Sequence, residues 1–184
     1  MSGPPYISSD DSALLRRALR GRSGGAFLEI GTGNGGTLVA LSGRFGTVVG
    51  TDLTRPDMQD WRSNAGVLLA SGASCFRNEV FDLVAFNPPY LAEEVGDRAV
   101  DGGRGLGVPK SFLAEALRVV KKSGSVVFLL NQDARLSEFE DVCRRGGFGV
   151  RLLEAERTFY ETLSVYEARA GAAGGDGTRG AGKT

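Results

Sequence analysis

Two kinds of apolar pattern alternate along this chain. Compact runs occur at Ala26-Phe27-Leu28-Glu29-Ile30, Thr47-Val48-Val49-Gly50-Thr51-Asp52, Gly66-Val67-Leu68-Leu69-Ala70 and residues 81–87. Runs of this length, rich in Val, Ile and Phe and bounded by turn residues, predict buried strands. Between them the spacing becomes helical. Leu14, Leu15, Ala18 and Leu19 share one face after the capping groups of Asp10-Asp11-Ser12, and Gly21 closes that helix. Leu38, Leu41 and Phe45 share a second face, and residues 57–63 predict a short helix. Pro109, suited to a first helical position, opens a helix carrying Phe112, Leu113, Ala116, Leu117 and Val120. A strand over 125–130 follows, then a helix with Leu136, Phe139, Val142 and Cys143, closed by Gly146-Gly147.

Two strands near 149–155 and 162–168 then come in succession, which predicts a closing antiparallel hairpin. The whole order predicts an α/β fold: one Rossmann-like domain with a mostly parallel, seven-stranded sheet and helices on both faces. Residues 1–9 read as an extended arm. Residues 91–109 form a long polar, glycine-containing stretch of the length used for lids.

Composition narrows the function classes. With 184 residues, 41% of them hydrophobic, the chain has material for one core. One domain over 1–169 is expected, followed by a glycine-rich, disordered tail over 170–184. Lys plus Arg equals Asp plus Glu at 22 each, so no global basic field recruits nucleic acid, and direct nucleic-acid binding is disfavoured. Histidine is absent, which removes the commonest general base and metal ligand, and no metal site is expected. Cys75 and Cys143 are isolated, as suits a reducing compartment, and a cytoplasmic location is expected. The N-terminus does not read as a signal peptide, and no apolar run is of membrane-spanning length.

The candidate chemistry lies at two strand ends. Gly31-Thr32-Gly33-Asn34-Gly35-Gly36 joins the first strand to a helix, so its backbone can turn sharply and approach a ligand. Asp52 ends the next strand, 19 residues after Gly33, where a carboxylate can accept both hydroxyls of a ribose. Glu29 sets negative charge where a phosphate would sit, and instead suits an ammonium. Adenosine joined to an amino acid without phosphate is S-adenosylmethionine. The second strand end carries Asn87-Pro88-Pro89-Tyr90. Proline cannot extend a ladder, so this segment reads as a rigid turn presenting carbonyls and one amide to a crevice.

Glu29-x-Gly31-x-Gly33-x-Gly35, Asp52 and Asn87-Pro88-Pro89-Tyr90 together resemble a class I S-adenosylmethionine-dependent methyltransferase acting on a planar nitrogen. The chain is most similar to the HemK/PrmC group of protein-glutamine N5-methyltransferases, in its stand-alone eukaryotic and archaeal branch acting on class 1 release factors. Gly102-Gly103-Arg104-Gly105, the segment Tyr6 to Ser12 and Glu161-Thr162-Leu163-Ser164-Val165 echo further motifs of that branch.

The resemblance implies cofactor binding by Glu29, Gly31, Gly33, Gly35, Asp52 and Asn87. It implies that Ser12 contacts the cofactor carboxylate. The family's acid after the third strand is missing here, leaving Ser71 or backbone on the adenine side. Catalysis would rest on Asn87, Pro88, Pro89 and Tyr90. The Asn87 side-chain oxygen and the Pro88 carbonyl would accept the two N–H bonds of the target NH2, and Tyr90 would cover its flat face. The implied substrate is the glutamine of a Gly-Gly-Gln loop in a release factor. The implied partner is a small zinc-binding activator, seated on an edge strand at Val67, Leu68 and Leu69. Planar NH2 groups also occur on adenine, so a DNA or RNA N6-adenine methyltransferase is a competing reading. A non-catalytic S-adenosylmethionine-fold subunit and a lysine target are further ones.

Overall fold

The computed structural model describes residues 9–56, 62–88, 107–132, 134–157 and 161–171. Its elements are α1 (Ser9–Ala18), β1 (Gly24–Ile30), α2 (Gly36–Leu41), β2 (Phe45–Asp52), β3 (Ala65–Leu69), β4 (Phe81–Phe86), α3 (Gly107–Val119), β5 (Val120–Asn131), α4 (Leu136–Arg145), β6 (Phe148–Arg157) and β7 (Thr162–Ala170). The seven strands form one sheet in the order β3-β2-β1-β4-β5-β7-β6. The first five pair in parallel, while β7 runs antiparallel to both β5 and β6. The predicted α/β class, strand number and closing hairpin are all present.

Strand alternation divides the core between the two faces of the sheet. On one face, Leu28, Ile30, Val84, Phe86, Val126 and Phe128 pack against Leu113 and Ala116 of α3 and Phe139 and Cys143 of α4. Phe128 stacks at 5.7 Å on Phe86 and at 5.9 Å on Phe139. On the other face, Phe27, Val48, Leu83, Ala85, Val127 and Val165 meet Leu14, Leu15 and Leu19 of the α1 segment and Leu38 and Leu41 of α2.

The structure corrects four details of the sequence reading. Phe45 belongs to β2, not to a helix face with Leu38 and Leu41. The helix stops at Leu41 because Asn64 Nδ2 donates to the Ser42 and Phe45 carbonyls, satisfying a tight turn that delivers Phe45 to the sheet opposite Gly24. Arg62 and Ser63 are not helical, and the rest of the 57–63 segment, residues 57–61, lies outside the described residues. Pro109 is the third residue of α3 as described, still among the positions whose N–H has no helical acceptor. Finally, β5 begins at Val120, earlier than its apolar run. Val120 pairs with Phe81, the ladder then slips, and Ser125 pairs with Leu83. Lys121 reaches Asp82 at 2.7 Å, and Asp82 also accepts the Gly25 and Ala26 N–H groups.

Residues 1–8, most of the 91–109 stretch and the tail from 172 lie outside the described residues. No helix among those described is long and apolar enough to cross a membrane.

Gly50, in the middle of β2, has no room for a side chain. A Cβ there would run into the Thr32 methyl and come within 2.8 Å of Leu38 Cδ1. Gly50→Ala is therefore expected to destabilise the fold by about 1–3 kcal/mol, the usual cost of overpacking. Urea denaturation of the purified variant checks this, and an unchanged midpoint would contradict the packing described.

Candidate active site

The strand order reverses between β1 and β4, so the connections leaving these two strands diverge to opposite faces. In open α/β sheets ligands bind at such a point, outside the C-terminal strand ends. Ile30 pairs with Thr51 on one side and Phe86 on the other. The glycine loop, Asp52 and Asn87 therefore emerge together along one rim.

The loop is bound to the end of β2. Gly31 and Thr32 both donate their N–H to the Thr51 carbonyl, at 2.8 and 3.2 Å, and Gly33 N–H donates to Asp52 Oδ2 at 2.9 Å. Gly31, Gly33 and Gly35 have φ of 74°, 50° and 73°, in the left-handed region that favours glycine. A Cβ at Gly31 or Gly33 would meet nothing within 4 Å. The outer side of the loop is thus an open cradle.

Glu29 lies beneath the cradle, only 5% exposed. Burial pushes its carboxyl up to about 8, against a hydrogen bond from Thr37 and the positive charge of Arg16, with Asp52 adding to the rise. Among the described residues its Oε2 has no hydrogen-bond partner, and neither do the buried hydroxyls of Thr32 and Thr51. Asp52 is half-buried. Its Oδ1 accepts from Thr54 N–H at 2.9 Å and from the Thr54 hydroxyl at 3.1 Å. Each carboxylate oxygen carries two lone pairs, so Oδ2 keeps one for a further donor.

Asn87 follows β4 and Pro88 behind it is buried. Asn87 Oδ1 is itself buried and has no donor among the described residues. An unpaired buried acceptor costs about 1–3 kcal/mol, and such groups mark places where something is missing. Pro89 and Tyr90 lie outside the described residues. Ser71 is exposed, and since Ala70 N–H donates to the Asp52 carbonyl at 3.0 Å, it leaves the sheet beside Asp52. Ser12 is half-buried on α1.

Sequence reasoning missed two residues here. Thr37 holds Glu29, and the Arg16 guanidinium lies against the loop, 3.2 Å from where a Gly36 Cβ would stand. Arg16 is one helical turn after Ser12, and that spacing was the available signal. A cavity of about 270 Å³ lies at the opposite rim, lined by Arg22, Gly24, Asp82 and Arg169. Asp82 and Arg22 are already paired there, with Lys121 and Glu167, so that cavity is not the site.

Residues 28–128 match the family model described as a methyltransferase domain, which spans more than half the chain. The chain belongs to this methyltransferase family. None of the curated proteins matches it in sequence. Among solved structures, a chain of the E. cuniculi Mtq2–Trm112 complex, responsible for methylation of the translation termination factor eRF1, is similar at 26% identity and a TM-score of 0.70, covering 90% of this chain and 98% of that one. The complex between the Haloferax volcanii Trm112 methyltransferase activator and a candidate methyltransferase is similar at 19% identity and 0.61, covering 88% and 91%. A candidate RNA methyltransferase from Pyrococcus horikoshii follows at 19% and 0.63, covering 87% and 81%. The last two likenesses show the fold alone.

The protein is thus an S-adenosylmethionine-dependent methyltransferase of the class I fold. The rim fits that cofactor: an open glycine cradle, an acid at the end of β2, and an uncharged acid below that can ionise beside a cation.

The raised Glu29 value has a definite sign. Its contribution to stability is complete below the ordinary carboxylate range, near 4.5, and is lost progressively as pH rises to about 8. In the absence of cofactor, the parent should lose stability relative to Glu29→Gln across that window. Denaturation midpoints of the two proteins at several pH values check this, and parallel pH curves would refute it.

Proposed function

We propose that this chain methylates the side-chain amide of glutamine in the Gly-Gly-Gln loop of a class 1 translation release factor. The observation that carries the reading is Asn87 Oδ1, a buried acceptor with no donor among the described residues, beside the cofactor loop. A primary amide supplies the N–H group that this oxygen lacks. The similarity to the E. cuniculi Mtq2–Trm112 complex supports the choice of amide over other planar NH2 groups.

In this reading Asn87 Oδ1 accepts one N–H of the substrate amide and the Pro88 carbonyl accepts the other. Two acceptors at fixed positions hold the nitrogen in one orientation and draw its electron density out of the amide plane. Most of the rate enhancement then comes from orientation and preorganised dipoles, with no covalent intermediate on the protein. Tyr90 would cover the flat face of the amide, as the family resemblance implies. Bound S-adenosylmethionine supplies an electrophilic sulfonium methyl group. Asp52 would hold the ribose hydroxyls, an ionised Glu29 would hold the ammonium, and Ser71 or backbone would serve the adenine side. Gly31, Gly33 and Gly35 would let the loop backbone lie close, and Ser12 would contact the cofactor carboxylate.

Asn87→Ala should lower turnover by at least about 100-fold, as loss of a preorganised electrostatic contact does. Cofactor affinity should change less than about tenfold, because one hydrogen bond is removed. Transfer of labelled methyl from S-adenosylmethionine to a Gly-Gly-Gln release factor, with DNA and RNA offered separately, measures this. Label on nucleic acid alone would overturn the substrate, and undiminished turnover would overturn the role of Asn87.

The same reading includes a small activator of the Trm112 kind on the β3 edge. β3 is an edge strand of the sheet, and Leu68 and Leu69 are 47% and 67% exposed on it. An open apolar edge invites strand addition by a partner. Replacing both leucines by lysine should abolish co-purification with such an activator and leave the chain folded. Retained association would move the partner elsewhere.

A further inference from the structure

We propose that Arg16 binds the carboxylate of the cofactor's methionyl moiety and so sets the selectivity of the site for cofactors that carry one. The proposal rests on the reading above, in which the cofactor lies on the glycine loop.

Charge at the rim is the starting point. Glu29 and Asp52 both stand at the loop: the Asp52 carboxylate repels an incoming carboxylate, and Glu29 adds to that repulsion once it ionises beside an ammonium. A zwitterionic amino-acid end therefore needs a cation on its carboxylate side. α1 offers Arg16 and Arg17. Arg17 is turned away and committed, forming ion pairs with Glu154 and Glu156 of β6. Arg16 forms no ion pair with any described residue, and its guanidinium lies against the loop instead. An ideal Cβ on Gly36 would stand 3.2 Å from its Nη1 and 3.9 Å from its Cζ, and 3.2 Å from Asn34 Oδ1. Glycine at 36 thus leaves room for the planar guanidinium beside the cradle.

Three structural facts hold it there. Leu14, Leu15 and Leu19 bury the other side of the α1 segment against the sheet. The Arg17 pairs fix the helix to β6 from the opposite direction. Asn34 Oδ1 is engaged by Gly36 N–H at 3.0 Å, which keeps the loop tip folded under the guanidinium. Arg presents parallel N–H donors that match a carboxylate in bidentate fashion. Ser12, one turn earlier on the same helix, adds a hydroxyl on the same side.

The alternative role is structural, with Arg16 serving only as a distant countercharge to Glu29. The two roles differ in ligand selectivity. Calorimetric titration of the full chain with S-adenosylmethionine, its decarboxylated analogue and 5′-methylthioadenosine separates them. Arg16→Ala should weaken S-adenosylmethionine by roughly 10- to 100-fold, the worth of a charge-assisted contact. The two ligands without a carboxylate should change by less than about threefold, because they never made that contact. Arg16→Lys should recover part of the loss. Comparing ligands on one variant makes the result independent of any change in its stability. Equal losses for S-adenosylmethionine and its decarboxylated analogue, or no loss for either, overturn the proposal. Asp52→Ala serves as the control, since it should weaken all three ligands. If it weakens none, the loop itself is not the cofactor site, and the underlying reading fails with the proposal.

Discussion

The site depends on the close seating of the glycine loop on β2. Thr32 places its methyl where any residue other than glycine at 50 would have a Cβ, and Leu38 at the start of α2 packs into the same space. Because the side chain at 50 is absent, the loop drops low enough for two successive N–H groups to share the Thr51 carbonyl and for a third to reach Asp52. The acid is then held by the loop it serves. α2 starts immediately afterwards, with Thr37 buried and bonded to Glu29. Loop, acid and helix are thus one packed unit, and a shift in any of them moves the cradle.

The electrostatics of the rim follow from that packing. Seating the loop closes off Glu29, and a carboxyl without water cannot keep its charge cheaply. Among the described residues it has a hydrogen bond from Thr37 and an unpaired Oε2, so the group is protonated near neutrality and poised to release its proton beside a cation. The opposite rim shows the other solution. Glu167 is fully buried, yet Arg22 and Arg151 donate to it at 2.8 and 2.7 Å, and their hydrogen bonds outweigh burial and keep it ionised. One acid is satisfied within the chain and serves the fold. The other is not, and faces the site.

Much of this was legible in residue order, and the failures have physical causes. Strand ends, glycine loop and Asp52 are local features, read from spacing along the chain. Alternating strands and helices announce a mostly parallel sheet, but the reversal at β1 and β4 depends on which strands pair, and that is set by long-range packing. Phe45 was misread because Leu41 and Phe45 are four apart, a spacing that fits a helix until Asn64, 19 residues away, satisfies the turn between them. The early start of β5 was hidden because Lys121 and Lys122 look like a solvated loop, whereas Lys121 answers Asp82 of the neighbouring strand. Arg16 looked like one arginine among many. Only tertiary packing shows that it lies on the loop while Arg17, next in sequence, points to β6.

The two sheet edges are treated differently, and the contrast bears on partners. β6 is the longer edge strand, and it carries the usual protections: a register shift between Leu152 and Glu154, and charges paired from outside the strand by Arg17 and from within the sheet through Arg151 and Glu167. β3 has five residues and no ion pair among those described, and its two consecutive leucines are open to solvent. Alternation would turn one of such a pair inward, yet both leucines are open, while Ala65 and Val67 of the same strand pack against the core that α1 and α2 cover. A bulged, charged edge resists pairing, whereas a short apolar edge invites it. The difference lies in the same sheet under the same solvent, so general surface composition does not account for it. A partner that adds a strand beside β3 would bury both leucines and extend the sheet on the side of Asp52, next to the loop on which the cofactor site is built.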